Sequence, residues 1–301
     1  MRKVILESAR IATESTSLHT PMDITPYIVA TDGFGPVDTT ILTDKLYGAG
    51  GDIVHGTYRT GRQLIITMQT VPQFKAYPLA HNKSPAEFRR YMYAFFPAGS
   101  KVRVKTVDPL SHELDDLSTD DVWYYVDGVV KSIQCNPYQN PQLMQLTIMC
   151  ESVYWTKETP IEYTASPSPM DGSPAEIRIS NYGDIPVGIY AQVEVGQKDL
   201  AYISFEAGGL KTEVDNVYRR RAYQIRMSTV PGDTYCLANV GDLGSRMYGD
   251  SVRIRPQFEC ARTNPDVVET DTLTITVKSG PSSSTQNYKT TIKIQPMLVG
   301  V

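Results

Sequence analysis

The hydrophobic pattern of this chain predicts one amphipathic helix among many short strands. Within residues 84–97, four apolar side chains follow the i, i+3, i+4, i+7 spacing of one helix face: Phe88, Tyr91, Met92 and Phe95. Ser84 and Glu87 have the spacing of a capping box, Pro85 suits the first helical position, and Pro97 stops the pattern. A single amphipathic helix needs a surface to cover, so we expect it to pack on a sheet built from the strands around it.

The other apolar positions favour short strands on both sides of the helix. In the first half these are residues 3–8, 26–30, 63–70, 101–106, 122–126, 129–135 and 143–150. In the second half they are residues 175–179, 187–195, 201–205, 222–227, 251–258, 272–277 and 289–296. Asp127-Gly128, between two apolar runs, is typical of a two-residue hairpin turn. The pattern therefore predicts a mainly β chain, with a compact sheet or barrel first and an antiparallel sandwich second.

A change of composition predicts where the two parts meet. Residues 156–174 contain four prolines among small polar residues, which is typical of a linker or a long crossing segment. We therefore predict a first domain at 1–155, a linker at 156–175 and a second domain at 176–301.

Length and charge limit the classes of function. With 301 residues, 41% of them hydrophobic, two domains can each bury a core. No apolar run approaches the ~20 residues of a membrane span, and a charge returns as early as Glu7, so we expect synthesis in a cytoplasm without secretion and no membrane partner. The net charge of −4 disfavours a general nucleic-acid binder. The exception, Arg219-Arg220-Arg221, is interpreted as a solvated or interface-forming turn.

Residues that carry catalytic or metal chemistry lack the spacing that such chemistry needs. Four cysteines, at 135, 150, 236 and 260, form no CxxC pair and are interpreted as buried thiols, with 135 and 150 too far apart along a hairpin to bridge. The histidines at 19, 55, 81 and 112 are scattered, and the acidic run at 113–121 fits a solvated loop. The glycines at 48–51 fit a turn rather than a phosphate cradle. We predict no catalytic residue, no cofactor, no metal and no enzymatic activity.

The order of several short motifs resembles the distal tail protein family of siphophages, which forms the hub of the baseplate. The matching features run from Gly51-Asp52 and Gly56 through Arg59-Thr60-Gly61-Arg62-Gln63-Leu64-Ile65-Ile66, the helix and its Pro97 stop, Val126-Asp127-Gly128-Val129, Cys150, Val153-Tyr154-Trp155 and Ser180-Asn181-Tyr182-Gly183-Asp184-Ile185-Pro186. Each motif alone is weak, but together they span nearly the whole chain.

This resemblance implies a ring-forming belt domain, a split barrel with one α-helix, followed by a galectin-like antiparallel β-sandwich. It also implies a homo-hexameric ring in the virion at the tail tip, assembled in the host cytoplasm. The partners that it implies are the major tail tube protein, a tail-associated fibre or lysin protein, and receptor-binding proteins. DNA would cross the lumen without specific binding, in keeping with the mildly acidic charge.

In this architecture the helix packs on its own sheet through its apolar stripe. Its opposite face, with Arg89, Arg90 and Tyr93, is then expected to meet a neighbouring subunit. Two longer polar segments, 109–121 and 208–250, are candidate docking sites for receptor-binding proteins.

Two other functions stay open from the sequence. The alternative is a carbohydrate-binding module of a phage tail that attaches to host wall polysaccharide, which the lack of tryptophan after residue 155 weakens. A polysaccharide-cleaving tail enzyme ranks below it, because no acid/base pair is recognisable.

Overall fold

The structure is a computed structural model, and it describes part of the chain. The described residues are 3–8, 20–45, 52–73, 84–107, 122–136, 138–165, 168–195, 200–207, 210–215, 224–230, 235–239, 245–247, 259–260, 271–279 and 287–301. The chain divides into two compact units, of which the first is Met1–Glu158 with Leu298–Val301 and the second is Thr159–Met297.

One α-helix and 23 strands are described. In chain order they are β1 Val4–Ser8, β2 Thr20–Asp23, β3 Ile28–Asp32, β4 Thr39–Lys45, β5 Asp52–Arg59, β6 Gln63–Gln69, α1 Pro85–Phe95, β7 Lys101–Val107, β8 Trp123–Cys135, β9 Leu143–Cys150, β10 Trp155–Lys157, β11 Ile161–Thr164, β12 Ser168–Pro169, β13 Asp171–Ile179, β14 Val187–Val195, β15 Leu200–Ala207, β16 Leu210–Asp215, β17 Gln224–Ser228, β18 Tyr235–Asn239, β19 Ser245–Met247, β20 Glu259–Cys260, β21 Asp271–Ser279, β22 Asn287–Ile294 and β23 Met297–Leu298.

The main sheet of the first unit is curled rather than flat. Its strand order is β2-β1-β7-β8-β9-β6-β3, with β10 paired to β8 and β23 to β10. The two end strands, β2 and β3, are consecutive in the chain and only residues 24–27 separate them. A flat sheet would hold these strands about 29 Å apart, whereas the connection reaches about 18 Å at most. The sheet must therefore bend towards closure, as the predicted split barrel requires.

Helix α1 forms where the sequence predicts it and covers this sheet. The Ser84 N–H donates to Glu87 Oε2 at 2.8 Å, and the Glu87 N–H donates to Ser84 Oγ at 3.4 Å, so the capping box is present. Phe88 and Met92 are fully buried in the core cluster of the first unit, as is Phe96, which directly follows the helix. No helix in the described part of the chain is long and apolar enough to cross a membrane.

The predicted hairpin turn at Asp127-Gly128 is wrong, because β8 runs through it without interruption. Gly128 pairs with Cys150 of the neighbouring strand β9. A Cβ atom on Gly128 would lie 2.6 Å from the Met149 carbonyl oxygen and 2.9 Å from Ile148 Cγ2. Glycine is therefore needed for close approach of two strands rather than for a turn.

The second unit is an antiparallel β-sandwich. One sheet has the order β11-β22-β14-β17-β18-β19, with β12 on β22 and β20 on β14, and the other has the order β13-β21-β15-β16. Alternate residues of these strands build its core cluster, which includes Val193, Phe205, Ile275 and Ile292. The chain thus has the predicted fold class, mainly β with one helix in a curled first sheet and a sandwich after it.

The segment that the sequence assigns to a linker contains strands. Between residues 156 and 175 the structure has the end of β10, then β11 and β12, which pair with β22, and the beginning of β13. The division into compact units falls at Glu158 and returns to the first unit at Leu298. The functional assignment of the predicted domains stays a prediction.

The motif Asn181-x-Gly183-Asp184 shapes the turn that leads into β14. Buried Asn181 accepts a hydrogen bond from the Gly183 N–H at 2.9 Å and donates one to the Ile185 carbonyl at 2.8 Å. The Asp184 N–H donates to the Met297 carbonyl at 2.7 Å, and a Cβ atom on Gly183 would lie 2.6 Å from that oxygen. Only glycine fits this contact without a shift of the backbone.

Candidate interaction surfaces

The outer side of α1 carries the three predicted interface residues. Tyr93 is 41% exposed, Arg90 is exposed and Arg89 is half-buried. The orientation of the helix about its own axis is set by its buried side, because Phe88 stacks on Tyr27 with ring centroids 4.1 Å apart. Neither arginine forms an ion pair with another described residue. The structure places these side chains together on one surface, and their role at a subunit interface stays a prediction.

The hairpin of β4 and β5 offers a second exposed surface. These two strands pair only with each other and form a sheet separate from the main one. Ile41 and Leu42, neighbours in β4, are 57% and 51% exposed. Because successive side chains of a strand point to opposite faces, β4 presents one exposed apolar side chain on each face of the hairpin here. A two-stranded hairpin is at best marginally stable when it is isolated in water.

The outer face of the main sheet is charged over β1, β7 and β8. Lys105 Nζ lies 2.6 Å from Glu7 Oε1 and also contacts Glu158, and its side chain is only 15% exposed. Burial would lower the pKa of Lys105, but the hydrogen bonds that its ammonium donates to Glu158 and Glu7 outweigh this effect, and the pKa is raised. Arg103 holds Asp127 through two hydrogen bonds of 2.7 and 2.8 Å. These pairs neutralise one another and stiffen this half of the sheet.

The outer face is uncharged over β6, β9 and the end of β8. Three polar side chains lie in one row across these strands, because Thr67 pairs with Gln145 and Gln145 pairs with Gln134. We call these three residues the amide row. It borders a groove of about 590 Å³ together with Tyr138, which is 96% exposed. Uncharged polar residues at alternate strand positions are common on any sheet with one solvent-facing side, so this pattern does not single out the row in the sequence.

A buried arginine, Arg62, joins three backbone segments of the first unit. Its guanidinium donates to the carbonyls of Val153 at 3.0 and 2.8 Å, of Gly35 at 2.9 Å and of Val299 at 2.6 Å, and also to the carbonyl of Gly33. Burial lowers the pKa of Arg62, although an arginine stays charged at any physiological pH.

Aromatic contacts complete this arrangement. Arg62 lies over the buried Trp155 ring at 5.5 Å, and Trp155 stacks on Phe34 and donates to its carbonyl at 3.2 Å. We call Gly33, Phe34, Arg62, Trp155 and Val299 the Arg62 cluster. This cluster could not be predicted from the sequence, because the presence of an arginine in a motif does not indicate whether its side chain is buried.

Cys135 and Cys150 lie where the predicted hairpin places them. Cys135 pairs with Met144 at one end of β9 and Cys150 ends that strand, so both remain free, as their predicted separation requires. Both side chains are half-buried rather than buried, which differs from the prediction. Burial raises the pKa of Cys150 to about 12, which keeps its thiol neutral. The side chains of Cys236 and Cys260 lie outside the described residues, so their burial stays a prediction.

Most other candidates for chemistry also fall outside the described residues. These are His19, His81 and His112, the side chain of His55, the acidic run at 113–121, the glycines at 48–51 and Arg219-Arg220-Arg221. The same holds for most of the two candidate docking segments, 109–121 and 208–250. Within the part that is described, no group of three or more His, Cys, Asp or Glu side chains could hold a metal ion.

Comparisons with known proteins find the likeness in structure alone. No family model matches the sequence, and no curated protein matches it. Among solved structures, the Dit protein of phage SPP1, described as a paradigm of the hub adsorption apparatus in phages that infect Gram-positive bacteria, aligns with a TM-score of 0.54 at 9% identity. That alignment covers 97% of this chain and 98% of the Dit chain.

A chain from the baseplate of phage P2, in its activated conformation with calcium, aligns over the full length of both chains at 10% identity, with a TM-score of 0.43. The fold assignment rests on the SPP1 protein, whose chain is matched through both compact units. The predicted resemblance is therefore confirmed at the level of structure: this chain has the fold of the phage distal tail (Dit) protein.

Proposed function

We propose that this protein is a structural virion protein that forms a hexameric ring at the distal end of a long, non-contractile phage tail. The ring joins the tail tube to the tail-associated fibre or lysin protein and to the rest of the baseplate. The observation that carries this proposal is the fold shared with the SPP1 Dit hub over 97% of this chain, which includes both compact units in the same order.

The exposed surfaces of the first unit supply what such an assembly needs. Subunits of a ring meet through heterologous contacts, in which two different surfaces of each copy are used. The outer side of α1 and the hairpin of β4 and β5 are two such surfaces, one basic and one apolar. We propose that Arg89, Arg90 and Tyr93 contact the neighbouring copy in the ring.

The role is one of holding partners in register rather than of catalysis. The proposed partners are five further copies of this chain, the major tail tube protein, the fibre or lysin protein and receptor-binding proteins. DNA passes through the lumen of the ring, and the net charge of −4 keeps it from adhering there. The protein acts at the tail tip of the virion after assembly in the host cytoplasm.

The mass of the purified protein in solution tests this proposal. Light scattering should give about 200 kDa, since six copies of a 33.5 kDa chain form one ring, or about twice that mass for two stacked rings. Negative-stain images of the same fraction should show rings with a central hole. A strict monomer at high protein concentration, without rings in the images, would contradict the proposal.

A further inference from the structure

The groove beside the amide row combines two features that suit a small ligand. The first is the row itself, since Thr67, Gln145 and Gln134 present one hydroxyl and two amides along a line that crosses three strands. Neighbouring strands lie about 4.8 Å apart, so the three groups are evenly spaced at the surface. Both glutamines are exposed, and neither forms a hydrogen bond with another described residue. They are available to a ligand.

The second feature is Tyr138, which lines this groove with almost its whole side chain in solvent. Its exposure is 96%, which is the highest of the large hydrophobic residues in the described part of the chain. The loop that carries it is held by a local hydrogen bond, from the Tyr138 N–H to Asn136 Oδ1 at 3.1 Å. A flat, open aromatic ring thus lies beside a row of groups that both donate and accept hydrogen bonds.

The chemistry of the groove selects among ligand classes. Among the described residues, its lining contains no Asp, Glu, Lys or Arg, so these residues offer no counter-charge for phosphate, for an acidic polymer or for a basic peptide. Side-chain amides and hydroxyls pair with ligand hydroxyls in either direction, and an aromatic face covers an apolar ring face. Its volume of about 590 Å³ lies within the range of about 300–1,000 Å³ found for small-ligand sites.

We propose that this groove is a binding site for a neutral saccharide, with Tyr138 as the stacking platform and Gln134, Gln145 and Thr67 as hydrogen-bonding partners. The site lies in the first unit, not in the sandwich that the sequence suggested for carbohydrate binding. It does not depend on the proposed ring, because every group belongs to one chain.

Calorimetric titration of the full-length protein tests this site. The probes are maltohexaose, cellohexaose and the hexamer of N-acetylglucosamine, with polygalacturonate as the charged comparison. At least one neutral oligomer should bind, and polygalacturonate should not. Tyr138→Ala should weaken that binding about tenfold through the lost stacking area, and Gln134→Ala with Gln145→Ala should weaken it by a similar factor.

The matched control is Tyr182→Ala, which removes another strongly exposed tyrosine, 69% exposed in the second unit. It should leave the affinity unchanged, and the circular dichroism of all variants should match that of the unchanged chain. The proposal is overturned if no neutral oligomer binds, or if Tyr138→Ala binds as tightly as the parent. If no saccharide binds to the parent protein and Gln145→Arg alters the oligomeric mass, the proposal is also overturned. The face is then a protein interface rather than a saccharide site.

Discussion

Arg62 is a buried cation whose every donor is paired with the backbone. A guanidinium has five N–H groups, and five hydrogen bonds run from Arg62 to the carbonyls of Val153, Gly33, Gly35 and Val299. No carboxylate contacts it among the described residues, so carbonyl dipoles compensate the cost of removing this charge from water. One side chain therefore joins two loops, at residues 33–35 and at Val153, and the segment that contains Val299.

Replacing this arginine should destabilise the first unit strongly. Arg62→Met leaves buried carbonyl oxygens without donors, and we expect a loss of about 3 kcal/mol or more in the free energy of unfolding. Both tryptophans, Trp123 and Trp155, belong to the first unit, so tryptophan fluorescence during urea unfolding reports on this unit. Arg178→Met, at an exposed position of the second unit, is the control and should change that transition by less than about 0.5 kcal/mol. Equal urea transitions for Arg62→Met and Arg178→Met would contradict the stabilising role of Arg62.

The thiol of Cys150 should react slowly at pH 8. Its pKa of about 12 in the folded protein lies above the value of about 8.5 for an unfolded cysteine, so the thiolate that reacts is scarce until the chain unfolds. Because the unfolded chain releases this proton at a lower pH than the folded chain, the contribution of Cys150 to the free energy of unfolding is fully present below about pH 8.5. It is lost as the pH rises towards 12. Iodoacetamide labelling read by mass spectrometry should modify Cys150 far faster in concentrated urea than in buffer. Similar rates in both would show that the neutral thiol is not protected.

Strand β8 illustrates how a local pattern can mislead about an element. Asp-Gly between apolar runs predicts a turn, yet the side chains keep one alternation from Trp123 through Val130, in register with β7 and β9, and the register with β9 shifts only after Val130. Helix α1, by contrast, is predictable to within one residue because its caps and its apolar stripe are all local. The pairing of β4 with β5, and the contact of Arg62 with Val299, could not be predicted, because they depend on residues distant in the chain.

Substitution of Gly128 tests its role in β8. Gly128→Ala should cost about 1–3 kcal/mol, because the new Cβ atom would overlap the Met149 carbonyl at 2.6 Å. Gly61→Ala is the matched control, since a Cβ atom there meets nothing within 4 Å. Gly128→Asn distinguishes a turn residue from a residue of close strand contact, because a turn tolerates asparagine whereas this contact does not. A Gly128→Asn variant as stable as the parent in urea would favour the turn.

Charge reversal on α1 tests the proposed subunit contact. Arg89→Glu with Arg90→Glu should shift the mass in light scattering from ring to monomer, because like or unpaired charges at an interface cost several kcal/mol. The monomer should stay folded, since the buried face of the helix, Phe88 and Met92, is untouched. The control reverses two exposed charges of the second unit, Arg178 and Lys289, and should assemble normally. An intact ring in the α1 variant would refute the assignment of this face.

At the scale of the whole molecule, the two compact units are not two successive segments. The first unit is closed by Leu298–Val301, which follows the entire second unit in sequence. The Val301 N–H donates to the Phe34 carbonyl at 3.1 Å, and the Val299 carbonyl accepts from Arg62 at 2.6 Å. Integrity of the Arg62 cluster therefore depends on residues far away in the chain.

Removal of Val299–Val301 should loosen the first unit selectively. Hydrogen exchange read by mass spectrometry should increase in peptides around Phe34 and Arg62, because the hydrogen bonds to this segment are lost. Peptides from β14 and β22 should exchange as in the parent, since their sheet does not contain these residues. Unchanged exchange around Phe34 would show that the segment contributes nothing to the cluster.

The return of the chain to its first unit also sets an order of events on the ribosome. Every residue of the sandwich is synthesised before Val299, so Arg62 must wait through the whole of that synthesis for one of its acceptors. The first unit is begun before the sandwich and receives Leu298–Val301 after it. A chain that ends before residue 298 would contain every strand of the sandwich but lack the segment that completes the Arg62 cluster.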